Sequence, residues 1–414
     1  MTRKMKDSGI EWIGEIPGTW NLKRIGQSFI ERNEKVSDVE FPPLSVTMKG
    51  VLPQLSTAAK SDAHDARKLM RKGDFAINSR SDRRGSCGIS GQDGSVSLIN
   101  IVLQPKDEIF PDYYNWLFHS TTFSEEFYKW GHGIVDDLWT TNWSDMKKIT
   151  VPFPPLLEQR RISRFLDSEC AKIDRLIEQT RASIEEYKKL KQAMITEAVT
   201  KGVRGKRKMK DSGIPWIGEI PEEWEIKTVF QIFTQVKNVN IGMQERNLLS
   251  LSYGTIKRKD INTTEGLLPA SFEGYNIIED GDIVLRLTDL QNDQKSFRVG
   301  LAKERGIITS AYITLRNRSN VFVNYLYYFL HAFDVSKGFY GMGAGIRESL
   351  NWDGLKSINV LVPTRSEQYD IVFYLDGKTT EIDNLIAQKE SLIRECETYK
   401  KGLIYEYTTG KKSV

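Results

Sequence analysis

Between Leu156 and Lys201 the apolar residues fall at Ile162, Leu166, Ile173, Ile177, Ile184, Tyr187, Met194 and Ala198. Steps of three, four and their sums predict one uninterrupted helix with a coiled-coil seam. Charged residues such as Arg160, Arg161, Glu178, Glu185, Glu186, Lys188 and Lys189 fill most of the remaining positions. At about 1.5 Å per residue such a helix spans roughly 65 Å, too long for a small core, so it needs a partner along its length. The partner stands 209 positions later, where Ile371, Leu375, Ile382, Ile386, Ile393, Leu403 and Tyr407 repeat the pattern. The polar signature returns as well: Glu158-Gln159 matches Glu367-Gln368, Leu166-Asp167 matches Leu375-Asp376, and Ile173-Asp174 matches Ile382-Asp383. Leu166, Ile173, Ile177, Leu375, Ile382 and Ile386 are the expected seam. Lys378 and Lys389 fall at seam positions held by Glu169 and Thr180 in the first copy, so the pairing is expected to loosen there.

A second repeat precedes each helix. Lys4 to Trp20 reads KMKDSGIEWIGEIPGTW and Lys208 to Trp224 reads KMKDSGIPWIGEIPEEW, identical at 14 of 17 positions. Either both lead-ins make the same contacts, through Trp12, Ile13, Trp216 and Ile217, or the duplication is too recent to have drifted. Between lead-in and helix the pattern turns β-rich, with strand-like runs at Asp74 to Asn78, Ser97 to Leu103, Asp282 to Leu287 and Ala311 to Leu315. Two aromatic helices correspond, Tyr113 to Phe118 and Tyr325 to Leu330. Asn142-Trp143 and Asn351-Trp352 lead in both copies to a valine- and proline-containing strand, whose proline ends it and lets the long helix start. The chain is therefore expected to be α+β with a pseudo-two-fold internal repeat. Its parts are residues 1–155, a central long helix at 156–202, residues 203–365, and a distal long helix at 366–414.

The frames agree while the polar loops inside them differ. After the first Gly-Asp strand the chain reads Asn78-Ser79-Arg80-Ser81-Asp82-Arg83-Arg84; at the matching place the second copy runs from Arg286 to Asp293. That is the arrangement expected of two readers with different targets. Arg80, Arg83 and Arg84, and in the second copy Arg286, Thr288, Gln291, Asn292 and Lys295, suit nucleic acid. Arginine can engage guanine, and Asn or Gln adenine, through two hydrogen bonds, while Lys and Ser or Thr mostly grip phosphate. The same loops could equally be no more than solvated surface. The basic linker Val203 to Lys210, with Arg204, Lys206, Arg207, Lys208 and Lys210, could lie along phosphates or serve as a solvated connector.

Composition adds limits. A net charge of +4 permits a nucleic-acid partner without establishing one. Three scattered cysteines, Cys87, Cys170 and Cys396, build neither a disulfide framework nor a CxxC metal site, and no apolar run reaches membrane-span length. The N-terminus lacks the apolar core of a signal peptide, so the reducing cytoplasm is the expected setting. No phosphate-binding loop, no Asn-Pro-Pro-Tyr methyltransferase motif and no histidine metal spacing occurs. Gly341 to Gly345 reads as a flexible loop. Pro111-Asp112 with Asp145-Met146-Lys147 formally resembles a nuclease metal site, but the second copy replaces the carboxylates with Asn324 and Gly354. The chain is expected to carry no catalysis and no metal or cofactor of its own.

The repeated lead-in, the Gly-Asp strand, the Asn-Trp close and the Glu-Gln, Leu-Asp, Ile-Asp helix, twice in one order, resemble the specificity subunit of type I restriction–modification enzymes. The resemblance covers nearly the whole chain. It implies two target-recognition domains, each reading half of a bipartite sequence in double-stranded DNA, with the long helices paired antiparallel as a spacer. It implies two methyltransferase (M) subunits, which bring S-adenosylmethionine and methylate adenine, and restriction (R) subunits for cleavage, with no membrane. Recognition would fall on the loops Ser79 to Arg84 and Arg286 to Lys295. Further loops at Ser45 to Lys49, Ser252 to Lys257, Gly131 to Gly133 and Gly343 to Arg347 would add Lys49, Lys257 and Arg347. The competing reading is a coiled-coil interaction scaffold that binds no DNA.

Overall fold

The computed structural model of the chain describes residues 3–54, 66–133, 139–262, 269, 271–293, 295–342 and 349–414. Two compact units emerge: residues 1–181 together with 390–414, and residues 182–389. Each long helix therefore contributes one stretch to each unit. The central helix runs Leu156–Lys201 and the distal helix Arg365–Thr408.

The β-rich part of the two units repeats one plan. In the first unit an antiparallel sheet has the order Cys87–Ile89, Phe75–Asn78, Asn100–Pro105, Phe29–Glu31. In the second the corresponding order is Val299–Leu301, Ile283–Leu285, Ile313–Asn317, Phe233–Gln235. The aspartate of each Gly-Asp turn is buried just ahead of its strand and takes a bidentate arginine. Asp74 is held by Arg32 at 2.6 and 3.3 Å, and Asp282 by Arg316 at 2.8 and 2.6 Å. The arginine changes strands between copies. Pairing of Leu103 with Glu31 and of Leu315 with Gln235 makes Gln104 the counterpart of Arg316, and Arg32 the counterpart of Val236. The ion pair survives duplication although its cationic partner moved to the neighbouring strand.

The run expected as one strand at Ser97 to Leu103 breaks in two. Gly94–Ser97 and Asn100–Pro105 are separate strands in different sheets, divided by a turn at Leu98 and Ile99. Continuous β-branched composition hid the turn, because neither glycine nor proline marks it.

The lead-ins form short hairpins, Met5–Asp7 with Glu15–Pro17 and Met209–Asp211 with Glu219–Pro221. Trp12, Ile13, Trp20, Ile217 and Trp224 are buried, and half-buried Trp216 packs on Phe329 and Phe333. The polar helix signature acquires a role. Trp20 Nε1 donates to Glu158 and Trp224 Nε1 to Glu367, at 2.8 and 2.9 Å. Gln159 and Gln368 each accept the backbone N–H that opens the aromatic helix, from Phe110 and Phe322, and donate to a proline carbonyl. Asp167 receives Trp116 Nε1, and Asp376 receives the Tyr328 hydroxyl.

Within each unit the two helices run antiparallel. In the first, Phe165 packs on Tyr407, Asp174 pairs with Lys400 at 2.6 Å and Arg181 with Glu397 at 3.0 Å. In the second, Lys191 pairs with Asp383 at 2.6 Å and the Lys389 ammonium lies over the Tyr187 ring. Asp174–Lys400 and Asp383–Lys191 are one interaction made twice, since both members shift by 209. Leu166, Ile177, Leu375 and Ile382 are buried, whereas Ile173 and Ile386 are half-buried. Lys378 is not in the seam: it is exposed and pairs with Glu381, while Thr379 beside it is buried. Near the end of the central helix Ile195, Ala198 and Val199 are buried in the core of the second unit, with Ile217, Trp224 and Tyr325. No helix among the described residues is long and apolar enough to cross a membrane.

Each unit is closed by the C-terminal end of a long helix. Tyr113 donates to the Thr408 carbonyl at 2.6 Å, and Lys411 Nζ to the Ile13 carbonyl at 2.6 Å. In the second unit Tyr325 reaches the Val199 carbonyl at 3.5 Å and Lys201 Nζ the Ile217 carbonyl at 3.0 Å. Gly410 and Gly202 follow the helices with positive φ, and a Cβ on either would lie within 3.2 Å of the lead-in tryptophan.

Candidate nucleic-acid interface

In the first unit the strand Phe75–Asn78 delivers the chain into a 3-10 turn, Ser81–Arg83. The turn is fixed from beneath. Ser79 is buried and its hydroxyl donates to the Ile99 carbonyl at 2.6 Å; Tyr128 directs its hydroxyl at the carbonyls of Asn78 (3.1 Å) and Arg83 (3.4 Å). Ser79 thus holds the loop from inside, which differs from the contact role expected of it. Arg83 is exposed, Arg80 pairs with Asp82 at 3.1 Å, and the Arg84 guanidinium lies over the Tyr128 ring. Beside them the hairpin of Leu44–Thr47 and Gly50–Pro53 closes one wall of a cleft of about 530 Å³. Its lining includes Ser45, Thr47, Arg67, Asn78, Arg83 and Arg84. Lys49 sits exposed at the hairpin tip.

Arg67 was not singled out from sequence. It is buried, with Nε donating to the Ser95 hydroxyl at 2.8 Å and Nη2 to the Ser95 carbonyl at 3.0 Å. Desolvation pulls its pKa below the ordinary arginine value. The available signal was an arginine and a lysine side by side in a strand whose every residue is buried, Arg67–Met70. Guanidinium groups at one cleft, with hydroxyls and amides between them, can engage phosphate oxygens or the acceptor edge of guanine.

In the second unit the matching loop contains Leu287 and Leu290, both buried, which anchor it to the core. Arg286 is half-buried and faces Asp293 at 3.6 Å, and half-buried Thr288 uses its carbonyl internally. Gln291, Asn292 and Lys295 are exposed; Asn292 Nδ2 donates to Asp289 at 2.7 Å. Lys257 is exposed on the strand Thr255–Arg258. Arg347 and the loop Gly343 to Arg347 lie outside the described residues.

Three of the five basic residues of the linker are engaged within the chain. Arg204 pairs with Asp370 at 2.6 Å, Arg207 with Glu367 at 2.5 Å and Glu223 at 2.9 Å, and Lys210 donates to the Trp224 carbonyl. The nuclease-like carboxylates serve elsewhere: Asp145 accepts from Lys148, which chiefly holds its pKa low, and bonds His132, whereas burial and then Asp167 push Asp112 up. Among the described residues no group of three His, Cys, Asp or Glu side chains could hold a metal.

Residues 43–186 match the family model of the type I restriction modification DNA specificity domain. Over 96% of this chain and 93% of its own length, the type I restriction enzyme MjaVIII specificity subunit of Methanocaldococcus jannaschii is 26% identical. Two solved structures share the fold. One, from work on assembly and conformational transition of the type I R-M system, has a TM-score of 0.72 at 14% identity, covering 96% of this chain and 99% of that one. The other, the HsdS subunit of Thermoanaerobacter tengcongensis, has a TM-score of 0.51 at 16% identity, covering 96% and 98%. With the duplicated frame and its unlike loops, these matches make the chain similar over nearly its whole length to type I restriction–modification specificity subunits, with the family's DNA specificity domain matched at residues 43–186.

Proposed function

We propose that the chain is the sequence-reading subunit of a type I restriction–modification system, recognising a two-part sequence in double-stranded DNA. The observation that carries this is one β-rich frame built twice, with an arginine-lined cleft in one copy and an amide-bearing loop in the other. Arg83, Arg84 and Lys49 are the contacts proposed for the first domain, with Arg80 turned toward Asp82 until DNA arrives. Gln291, Asn292, Lys295 and Lys257 are proposed for the second, flanked by Arg286 and Thr288. Two methyltransferase subunits, carrying S-adenosylmethionine, would modify adenine at the addressed site, and restriction subunits would cut; this chain would supply no chemistry. The proposed setting is the cytoplasm.

Two measurements test this. A filter-binding titration should give log affinity falling linearly with log salt, as phosphate contacts require. Exchanging residues 21–155 for a homologous domain should change one half of the methylated sequence; methylation mapping that found both halves altered would defeat the modular reading.

A further inference from the structure

Four carbonyls of the polar loop of the second domain converge on one side chain. Arg298 immediately precedes the strand Val299–Leu301 and is fully buried. Its Nε donates to the Tyr340 hydroxyl at 3.1 Å. Nη1 donates to the carbonyls of Arg286 and Thr288 at 3.0 and 2.9 Å, and Nη2 to those of Asp289 (3.3 Å) and Asp293. A guanidinium has five N–H groups. All five are used, four of them on carbonyls of the segment 286–293. Tyr340 adds a bond from its hydroxyl to the Asp293 carbonyl at 3.2 Å, and the Arg298 backbone N–H is fixed by Asp334 at 2.7 Å.

Every hydrogen-bond acceptor of that guanidinium is neutral, and the Asp293 and Asp334 carboxylates meet its charge only through space. Burying a cation this way is a costly means of filling a core, since an apolar side chain of similar volume commonly serves as well or better. What the fork provides is geometry, because it fixes four carbonyls at once. Asp289, at φ +58°, adopts the left-handed conformation that L residues avoid, between two of those carbonyls. The exposed Gln291 and Asn292 stand on this fixed base. In the first domain Ser86 holds the corresponding place ahead of its strand, and the loop is pinned by Tyr128 instead.

We infer that Arg298 is a specificity-positioning residue: it presets the loop 286–293 so that the Gln291 and Asn292 amides meet base edges in one orientation. The inference rests on the reading of that loop as a DNA reader. The full chain and its Arg298→Lys, Arg298→Met and Tyr340→Phe variants are incubated with a random duplex pool, and the bound duplexes are sequenced at several salt concentrations. Thermal melts accompany each variant, and a Gln291→Ala/Asn292→Ala double variant marks the half-site that this loop reads.

Expected is a tenfold or greater loss of discrimination at that half-site in the Arg298 variants, and a smaller loss in Tyr340→Phe. Preference at the other half-site and the slope of log affinity against log salt should stay as in the wild type. A uniform loss of affinity with unchanged preferences would reduce Arg298 to a structural residue and overturn the inference. So would full discrimination retained by a folded Arg298→Met. If Arg298→Met does not fold, Arg298→Lys and the milder Tyr340→Phe decide, and unchanged preference in both overturns it. A wild-type chain that selects no sequence at all would instead remove the DNA reading itself.

Discussion

The tryptophan–glutamate–arginine triad at each lead-in is a natural experiment, because the same three groups occur twice at different depths. In the second unit Glu367 is fully buried, accepts from the Trp224 indole at 2.9 Å and pairs with Arg207, itself 15% exposed. Glu367 raises the Arg207 pKa above its ordinary value, chiefly through that hydrogen bond. In the first unit Glu158 is 25% exposed, accepts from Trp20 at 2.8 Å and pairs with Arg3, 28% exposed, at 2.6 Å. Removing one member of a buried ion pair costs about 3–5 kcal/mol. Glu223 stays paired with Arg207, so Glu367→Ala should fall at the lower end, near ~3 kcal/mol. Glu158→Ala loses an indole hydrogen bond worth about 1 kcal/mol and a solvent-screened pair worth at most another ~1 kcal/mol. Hydrogen exchange on peptides covering residues 5–20 and 209–224 reads the two units separately within one molecule. The second lead-in should lose about 1–2 kcal/mol more protection in Glu367→Ala than the first loses in Glu158→Ala. Glu367→Gln, which keeps an acceptor for the indole, should recover part of the difference. Equal losses, or a larger one at Glu158, would show that depth does not govern this motif.

Leu166→Asp places a carboxylate at a fully buried position between the helices and should lower the melting temperature of the first unit by several degrees; an unchanged melt refutes this. Gly202→Ala should destabilise the second unit by more than ~1 kcal/mol in urea, since φ is +80° and the new methyl would collide with Arg207 and Glu367. Burial, opposed by the Arg298 backbone bond and by the Arg298 and Lys337 charges, pushes Asp334 up to about 6. The folded state then binds the extra proton between about pH 4 and 6, so stability should fall as pH rises through that window. Asp334→Asn should flatten the slope, and an unaltered urea-midpoint profile against pH would refute the assignment.

The long helices were legible because their burial follows a period, and period survives in sequence. Glu158, Gln159, Asp167 and their copies were visible as a repeated signature, yet their partners Trp20, Phe110 and Trp116 were not, because those contacts close over long separations. The heptad count erred at Lys378 because a small phase error moves a side chain from seam to solvent, and it passed over Ile195 and Val199 because they face the core of the second unit. At the candidate site the exposed residues Arg83, Gln291, Asn292 and Lys295 could be picked out as polar groups in a loop. Arg67, which lines the cleft, and Tyr128 and Arg298, which hold the two loops, could not. A polar side chain bonded to distant backbone carbonyls carries no local pattern, and it is identified only once the chain has brought donor and acceptors together.

The first unit is assembled from two distant stretches, residues 1–181 and 390–414, whereas the second is contiguous. During synthesis residues 182–389 are therefore complete while Tyr113 and the Ile13 carbonyl still wait for Thr408 and Lys411. The domain translated first should be the last to mature, reversing the usual order of folding on the ribosome. A nascent chain stalled after residue 389 should show a protease-resistant second unit beside a first unit that is still cut.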